Sequence, residues 1–466
     1  MGNETSVPLK VFLDDKKKKV MFAEAEEDFV EILFSFLTLP LGTIARQLSG
    51  IFPDPNSMNT KLGSLTSLHE SVRSLNITHF SSLESKGSLF HTINSSAHLC
   101  KKLKVNLDHD HRVHVCPHEE IFLKKKAKFI ITDDLNVVPI VLDKSIELLN
   151  SLGVDYIDEL QEKTMNFDLK EFVHLLKWSL FTNNPLTNYV YGGRKLSSSF
   201  FTYSTLTIPS TSGQIQTQKV KLLIQKSKKK VLCAQVENHF VELLFSFLTI
   251  PFGAYERLTK DIGSSPLMGI SNLYNSISSL GEYLTSEDVK TMLLCPKIAG
   301  SYVCVTDLLP IYEVNKRQGS FLRKEQTTIF MVSNDLKVTT SPSIATISKF
   351  NTSGVPIHDM ELLELSIGEQ EALLLLKASL TSRSALTDWF RALLSMKKLK
   401  DLVPNNDFGV DGGSMSEEEV GSNSEVESHT DKLSVAGDAG RESEEEAVLI
   451  SEEENHSDTL SVISFD

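Results

Sequence analysis

Phe29 to Gly42 reads FVEILFSFLTLPLG, an apolar run with few polar interruptions. Phe29, Ile32, Leu33, Phe36 and Leu37 recur at i, i+3, i+4, i+7 and i+8, while Val30 and Phe34 carry the apolar surface around most of the cylinder. That pattern predicts a helix in the middle of a core. The run is about 14 residues long, short of the roughly 20 that a membrane span needs, so no transmembrane segment is expected. Pro40 disfavours helix at Leu39 and Gly42 supplies a permissive backbone position, so the chain should turn before TIARQL resumes a helical period. Upstream, LKVFLD and VMFAEA alternate on either side of DKKKK and predict a β-hairpin with a lysine-rich turn. Downstream, SLTSLHESVRSL predicts a second helix and KFIITDDLNVVPI a strand with a turn at Asp133 and Asp134. SIELLNSLG and DLKEFVHLLKWSLF predict further helices. Strands grouped with helices, without strict alternation, give an α+β fold.

The pattern then repeats. FVELLFSFLTIPFG returns at Phe240 to Gly253, and Lys10 to Arg46 aligns with Lys221 to Arg257 without a gap, with about half of the positions identical. SLHESVRSL corresponds to NLYNSISSL (Asn272 to Leu280), FIITDDL to IFMVSNDL, and LLKWSLFTNNPLTNYV to LLKASLTSRSALTDWF, in the same order. A period of this length is far longer than a solenoid repeat and predicts two tandem homologous modules. Residues 1–8 read as a flexible leader and 9–190 as the first module. Residues 191–217, rich in Ser, Thr and Gly, read as a linker, 218–403 as the second module and 404–466 as a disordered acidic tail.

Charge sharpens the division. From Asn405 onward, 18 acidic residues stand against Lys432 and Arg441, a charge of −16, which leaves 45 basic and 43 acidic residues in the remainder. A body close to neutral gives no strong nucleic-acid signal, because phosphate binding needs a clustered basic surface. In the tail, Ser414, Ser416, Ser443 and Ser451 each precede an acid by three residues, the pattern of an acid-directed kinase. Val448, Leu449 and Ile450, followed by Ser451 and three glutamates, have the form of a SUMO-type interaction strand, a short apolar β-former whose acids meet a basic partner. Five cysteines without a C-x-x-C pair make a poor disulfide framework and predict an intracellular chain, in cytoplasm or nucleus. MGNETS matches the pattern for N-myristoylation at Gly2, and with the run Lys16 to Lys19 it predicts peripheral membrane contact.

For chemistry, DHDHRVHVCPHEE brings His109, His111, His114, Cys116 and His118 within ten residues, enough soft or borderline ligands for a tetrahedral zinc ion. Their spacing follows no structural-zinc pattern, and a solvated polar loop is the plainer reading. No G-x-S-x-G, H-E-x-x-H, Walker or G-x-G-x-x-G motif occurs. Polar residues kept in both copies include Glu31 and Glu242, Arg46 and Arg257, and Lys177 and Lys377. Glu31 and Arg46, beside the same buried helix, read as a structural ion pair or as solvated rim charges. The balance favours a non-enzymatic interaction or adaptor protein with a phosphorylatable acidic tail over a zinc-binding protein, and both over an enzyme with an unrecognised site.

VFLDDKKKKVMFAEAEEDFVEILFSFLTLPLGTIARQL, its tandem copy, and the FIITDDL and LLKWSLFTNNPLT blocks resemble the plant-specific family known as domain of unknown function 674. The resemblance runs from about Leu9 to Phe390 and implies no particular activity, substrate or cofactor. It also implies a cysteine-rich stretch between the second helix and the FIITDDL strand, suggestive of a zinc knuckle. This chain retains there only Cys100 and Cys116 in the first copy and Cys295 and Cys304 in the second.

Overall fold

The hairpin that opens each copy forms as its alternation requires. In the computed structural model, β1 (Val7–Asp14) pairs antiparallel with β2 (Lys19–Glu26), and β6 (Gln218–Gln225) with β7 (Lys230–Val236). The structure describes residues 6–51, 61–96, 122–192, 218–262, 267–298, 308–311, 319–324, 328–340 and 344–402. Both hairpin turns place a lysine in left-handed conformation, Lys18 at φ 52° and Lys229 at φ 47°. Both first strands slip register at the same place, between Phe12 and Leu13 and between Leu223 and Ile224. With β3 (Lys128–Thr132), β4 (Val137–Pro139) and β5 (Gln161–Phe167) the first sheet has the order β4-β3-β2-β1-β5. With β8 (Phe330–Ser333), β9 (Val338–Thr340) and β10 (Met360–Ile367) the second repeats it as β9-β8-β7-β6-β10. All pairings are antiparallel, so each copy is α+β as the pattern predicts.

The helices also correspond. The first copy has α1 (Glu27–Ser35), α2 (Leu41–Ile51), α3 (Leu65–Ser74), α4 (Leu83–Phe90), α5 (Leu142–Ser151), α6 (Leu169–Phe181) and α7 (Pro185–Tyr191). The second has α8 (Asn238–Thr249), α9 (Phe252–Thr259), α10 (Met268–Ser279), α11 (Glu287–Leu294), α12 (Ile344–Thr352), α13 (Glu369–Thr381) and α14 (Ala385–Leu402). In α1 every residue from Phe29 to Ser35 is buried, and in α8 every residue from Phe240 to Thr249. The hydroxyls in this apolar phrase do not go unsatisfied. Ser35 Oγ donates to Ile32 O at 2.6 Å and Thr38 Oγ1 to Ser35 O at 2.8 Å, and Ser246 and Thr249 repeat both bonds at 2.7 and 2.8 Å. Serine and threonine therefore tolerate this depth in both copies, since a buried hydroxyl without a partner would cost about 1–3 kcal/mol.

The sequence pattern does not reveal that the two cores are one. Leu41 N donates to Ile250 O at 2.9 Å and Phe252 N to Leu39 O at 3.0 Å, with Pro40 opposite Pro251. The Pro-x-Gly turns of the repeated phrase thus pair with each other. Gly42 lies so close that a Cβ there would meet Leu248 O at 2.9 Å, and one at Gly253 would meet Leu37 O at 3.3 Å and Leu293 O at 2.6 Å. Farther out, each copy caps the other's sheet edge. Val137 N of β4 donates to Ser276 Oγ of α10 at 2.9 Å, and Val338 N of β9 donates to Ser71 Oγ of α3 at 2.8 Å. Thr285 N donates to Phe122 O at 3.0 Å, and Ser81 N to Phe321 O at 2.9 Å. Such reciprocity is that of an isologous dimer, in which one patch meets its own equivalent. A single apolar core accordingly runs from Leu9 to Met396. An exposed sheet edge would offer unpaired backbone groups to other chains, and α3 and α10 close two of the four edges.

Candidate functional site

Most of the residues singled out for chemistry or modification fall outside the described residues: Gly2, His109, His111, His114, Cys116, His118, Ser414, Ser416, Ser443, Val448, Leu449, Ile450 and Ser451. Among the described residues no group of three or more His, Cys, Asp and Glu side chains is placed to hold a metal ion. No described helix is long and apolar enough to cross a membrane.

The glutamates kept in both copies prove to be parts of the fold. Glu31 is almost wholly buried and its Oε1 accepts Leu123 N–H at 2.9 Å. Glu242 is buried likewise and accepts Phe321 N–H at 3.1 Å, Leu322 N–H at 2.5 Å and Ser320 Oγ–H at 2.6 Å. Neither is a solvated rim charge. Each is a buried acceptor that fixes the segment leading into the third strand of its sheet, the segment that also reaches across to the other copy. Asp133 works in the same manner. It accepts Thr187 N–H at 2.8 Å, Thr187 Oγ1–H at 2.7 Å and Asn184 Nδ2–H at 2.9 Å. Thr187 Oγ1 in turn accepts Val20 N–H at 2.9 Å. Burial pushes the Asp133 carboxyl up, against the pull of these donors. In the second copy Asn334 Oδ1 takes both bonds from Thr387 at 2.9 Å, so the position needs an acceptor and not an acid.

The sequence pattern singles out Arg46 and Arg257 but not the polar neighbours they gather. Arg46 of α2, His69 of α3 and His91 after α4 lie together, and the corresponding residues of the second copy are Arg257, Tyr274 and Cys295. His69 stacks on Phe90 with ring centroids 5.0 Å apart, and its Nε2 meets Phe90 O at 3.2 Å. Burial first, helped by the Arg46 and His91 charges, holds its pKa down against the Phe90 hydrogen bond, which raises it. Burial and Cys295 push the Tyr274 phenol up to about 12. The two copies thus differ in the reacting groups they could offer at this place. Lys377 donates from Nζ to Ile262 O at 2.7 Å, and burial lowers its pKa to about 8.

The surface is more distinctive than the interior. α5 lies on the outer face of the first sheet, where Leu148, Leu149, Leu152, Val154 and Leu160 pack on Phe12, Met21, Phe22 and Ile130, and Phe12 stacks on Phe22 at 4.4 Å. Leu223, Leu232, Cys233 and Met331 take the corresponding places in the second sheet. Burial pushes the Cys233 thiol up to about 11, so it packs as a small apolar group. α5 itself has no fully buried residue. Of the sixteen large apolar side chains exposed among the described residues, ten lie on α5, on α12 or on the chain flanking them. They are Ile140, Val141, Leu142, Ile146, Tyr156 and Ile157 in the first copy and Ile344, Ile347, Ile357 and Leu362 in the second. Leu142 is 78% and Ile344 86% exposed, each at the first residue of its helix. Scattered apolar residues on a surface need no explanation, whereas these ten are concentrated on the corresponding helices of the two copies and the chain flanking them.

The family model described as Protein of unknown function (DUF674) matches the chain at residues 3–120, 109–318 and 311–423. The chain belongs to the DUF674 family. The matched stretches together take in both copies and the linker, so DUF674 membership extends over the whole interlocked body. Comparison with curated proteins and with solved structures finds no match. In this DUF674 chain the repeated helix phrase was legible as core and the repeated glutamates only as charges. The apolar residues of α5 were read as an ordinary helix, because periodicity does not show how little a sheet face covers them.

Proposed function

We propose that this chain is a non-enzymatic interaction protein that presents two equivalent apolar surfaces, centred on α5 and α12, on one interlocked scaffold, and that its acidic tail is a phosphorylatable regulatory segment. The observation that carries the reading is the concentration of exposed apolar side chains at equivalent places in both copies. It is supported by the use of the duplicated polar residues Glu31, Glu242, Asp133 and Asn334 as backbone acceptors within the fold. Association buries apolar area in proportion to its gain, and an anchor of large side chains at a patch centre commonly dominates it. The test is proximity labelling in cells with the full chain, with a chain ending at Pro404, and with the variant Leu142→Glu, Ile146→Glu, Ile344→Glu, Ile347→Glu. A set of proteins labelled by the full and tail-less chains is expected to be lost with the four-site variant. Identical labelled sets from the variant and the parent would refute the reading.

A further inference from the structure

The two apolar surfaces are not alike in charge. Between Ile140 and Leu160, Asp143, Glu147, Asp155, Asp158 and Glu159 are all exposed, with Lys144 the lone base. In the corresponding stretch from Ser341 to Glu361 there are two acids, Asp359 and Glu361, against Lys349. Asp359 is moreover engaged, accepting Ser227 Oγ–H at 2.6 Å and Gln225 Nε2–H at 2.9 Å. On α5 the order of the residues matters. Leu142 and Ile146 are four apart and form one ridge of the helix, and Asp143 and Glu147 form the adjoining ridge. An apolar ridge therefore runs beside an acidic one, both exposed, and the chain after the helix adds exposed Tyr156 and Ile157 and exposed Asp158 and Glu159.

Resting on the interaction reading above, we infer that the α5 surface of the first copy docks a basic amphipathic helix, whose apolar stripe covers Leu142 and Ile146 while its lysines or arginines meet Asp143 and Glu147. Complementary charge is what selects this occupant. An acidic helix would set like charges against the ridge, and a purely apolar one would leave Asp143 and Glu147 facing an apolar surface at the cost of their hydration. A helix suits the site because ridges four residues apart on one helix interdigitate with those of another. The α12 surface, apolar but without the acidic ridge, lacks the charges that would hold this helix, and it supplies an internal control.

The experiment uses the full chain and two fluorescent peptides of about five helical turns, one built on a Leu–Lys amphipathic pattern and one with Glu in place of each Lys, followed by anisotropy. The Leu–Lys peptide is expected to bind and the Leu–Glu peptide not. Leu142→Glu with Ile146→Glu should weaken binding by about tenfold or more. Asp143→Lys with Glu147→Lys should weaken it by about fivefold or more, in line with the loss of rim charge complementarity. Ile347→Glu should leave it unchanged. Attraction to the acidic tail alone makes the opposite forecast, since the Leu142→Glu, Ile146→Glu chain carries two additional acids and would bind the basic peptide as well or better. Binding undiminished in that variant, or equal binding of the two peptides, overturns the inference. Failure here with the labelled set still lost from the four-site variant would remove the basic helix and leave the interaction reading standing.

Discussion

Gly253→Val lowers the stability of the whole body by about 3 kcal/mol or more, and one unfolding transition shifts rather than half of one. The reason is where the missing side chain would go. A Cβ at Gly253 would stand 2.6 Å from Leu293 O and 3.3 Å from Leu37 O, the former in its own copy and the latter in the other. Backbone carbonyls cannot rotate away as a side-chain tip can, so relief requires α9 to move, and α9 begins at the turn that pairs with Leu39. Gly42→Val acts from the opposite side, through Leu248 O at 2.9 Å, with a smaller effect because the approach is less close. Thermal unfolding followed at two wavelengths, together with calorimetry, checks both. Two independent modules would instead give two transitions, and a substitution in one would leave the other in place.

Glu242→Ala should cost about 3–5 kcal/mol, because it leaves the buried N–H groups of Phe321 and Leu322 without their acceptor, each costing about 1–3 kcal/mol. Glu242→Gln keeps one carbonyl oxygen in place and should cost clearly less. The corresponding Glu31→Ala should follow the same order, with a loss for Leu123 N–H. The loss should be visible first at the crossing point. Phe321 O accepts Ser81 N–H from the other copy, so hydrogen exchange at Ser81 should accelerate in Glu242→Ala before exchange in β6 and β7 does. Equal stability of the Ala and Gln variants and the parent, measured by chemical denaturation, would show that these carboxylates hold nothing. A catalytic role would make the opposite demand, namely a folded protein with an activity lost.

Local pattern was enough for the elements that bury one clear face. The FVEILFSF and FVELLFSF helices, the two hairpins and the FIITDDL strand with its turn all formed where periodicity put them, since each has a strong apolar alternation of its own. β5 was not legible. QEKTMNF has little apolar character, because it is an edge strand whose first four residues are all exposed, and only its pairing with β1 makes it a strand. The turn residues Leu135 and Leu336 were also opaque: both are left-handed, at φ 64° and 62°, and both are wholly buried. Leucine disfavours that conformation, and burial of the side chain is what offsets the strain. The interlock was hidden for a more general reason. A helix that covers the sheet of its own copy and one that covers the sheet of its neighbour show the same amphipathic stripe, so Ser71 and Ser276 looked like ordinary polar positions on α3 and α10 although each holds a strand of the other copy. Glu31 and Glu242 hid likewise, since an acid in an apolar run signals burial with a partner but not which partner.

The interlock is tested most directly by cutting the chain between the copies. A site-specific protease sequence placed after Ser198, within the linker segment, would allow the folded full-length protein to be cleaved into its two halves and passed over a sizing column under native conditions. The halves are expected to elute together at the volume of the uncut chain, to unfold together, and to separate only in denaturant, because Leu41, Phe252, Ser71, Ser276, Ser81 and Thr285 bind across the cut. Two folded halves that separate without denaturant would contradict it.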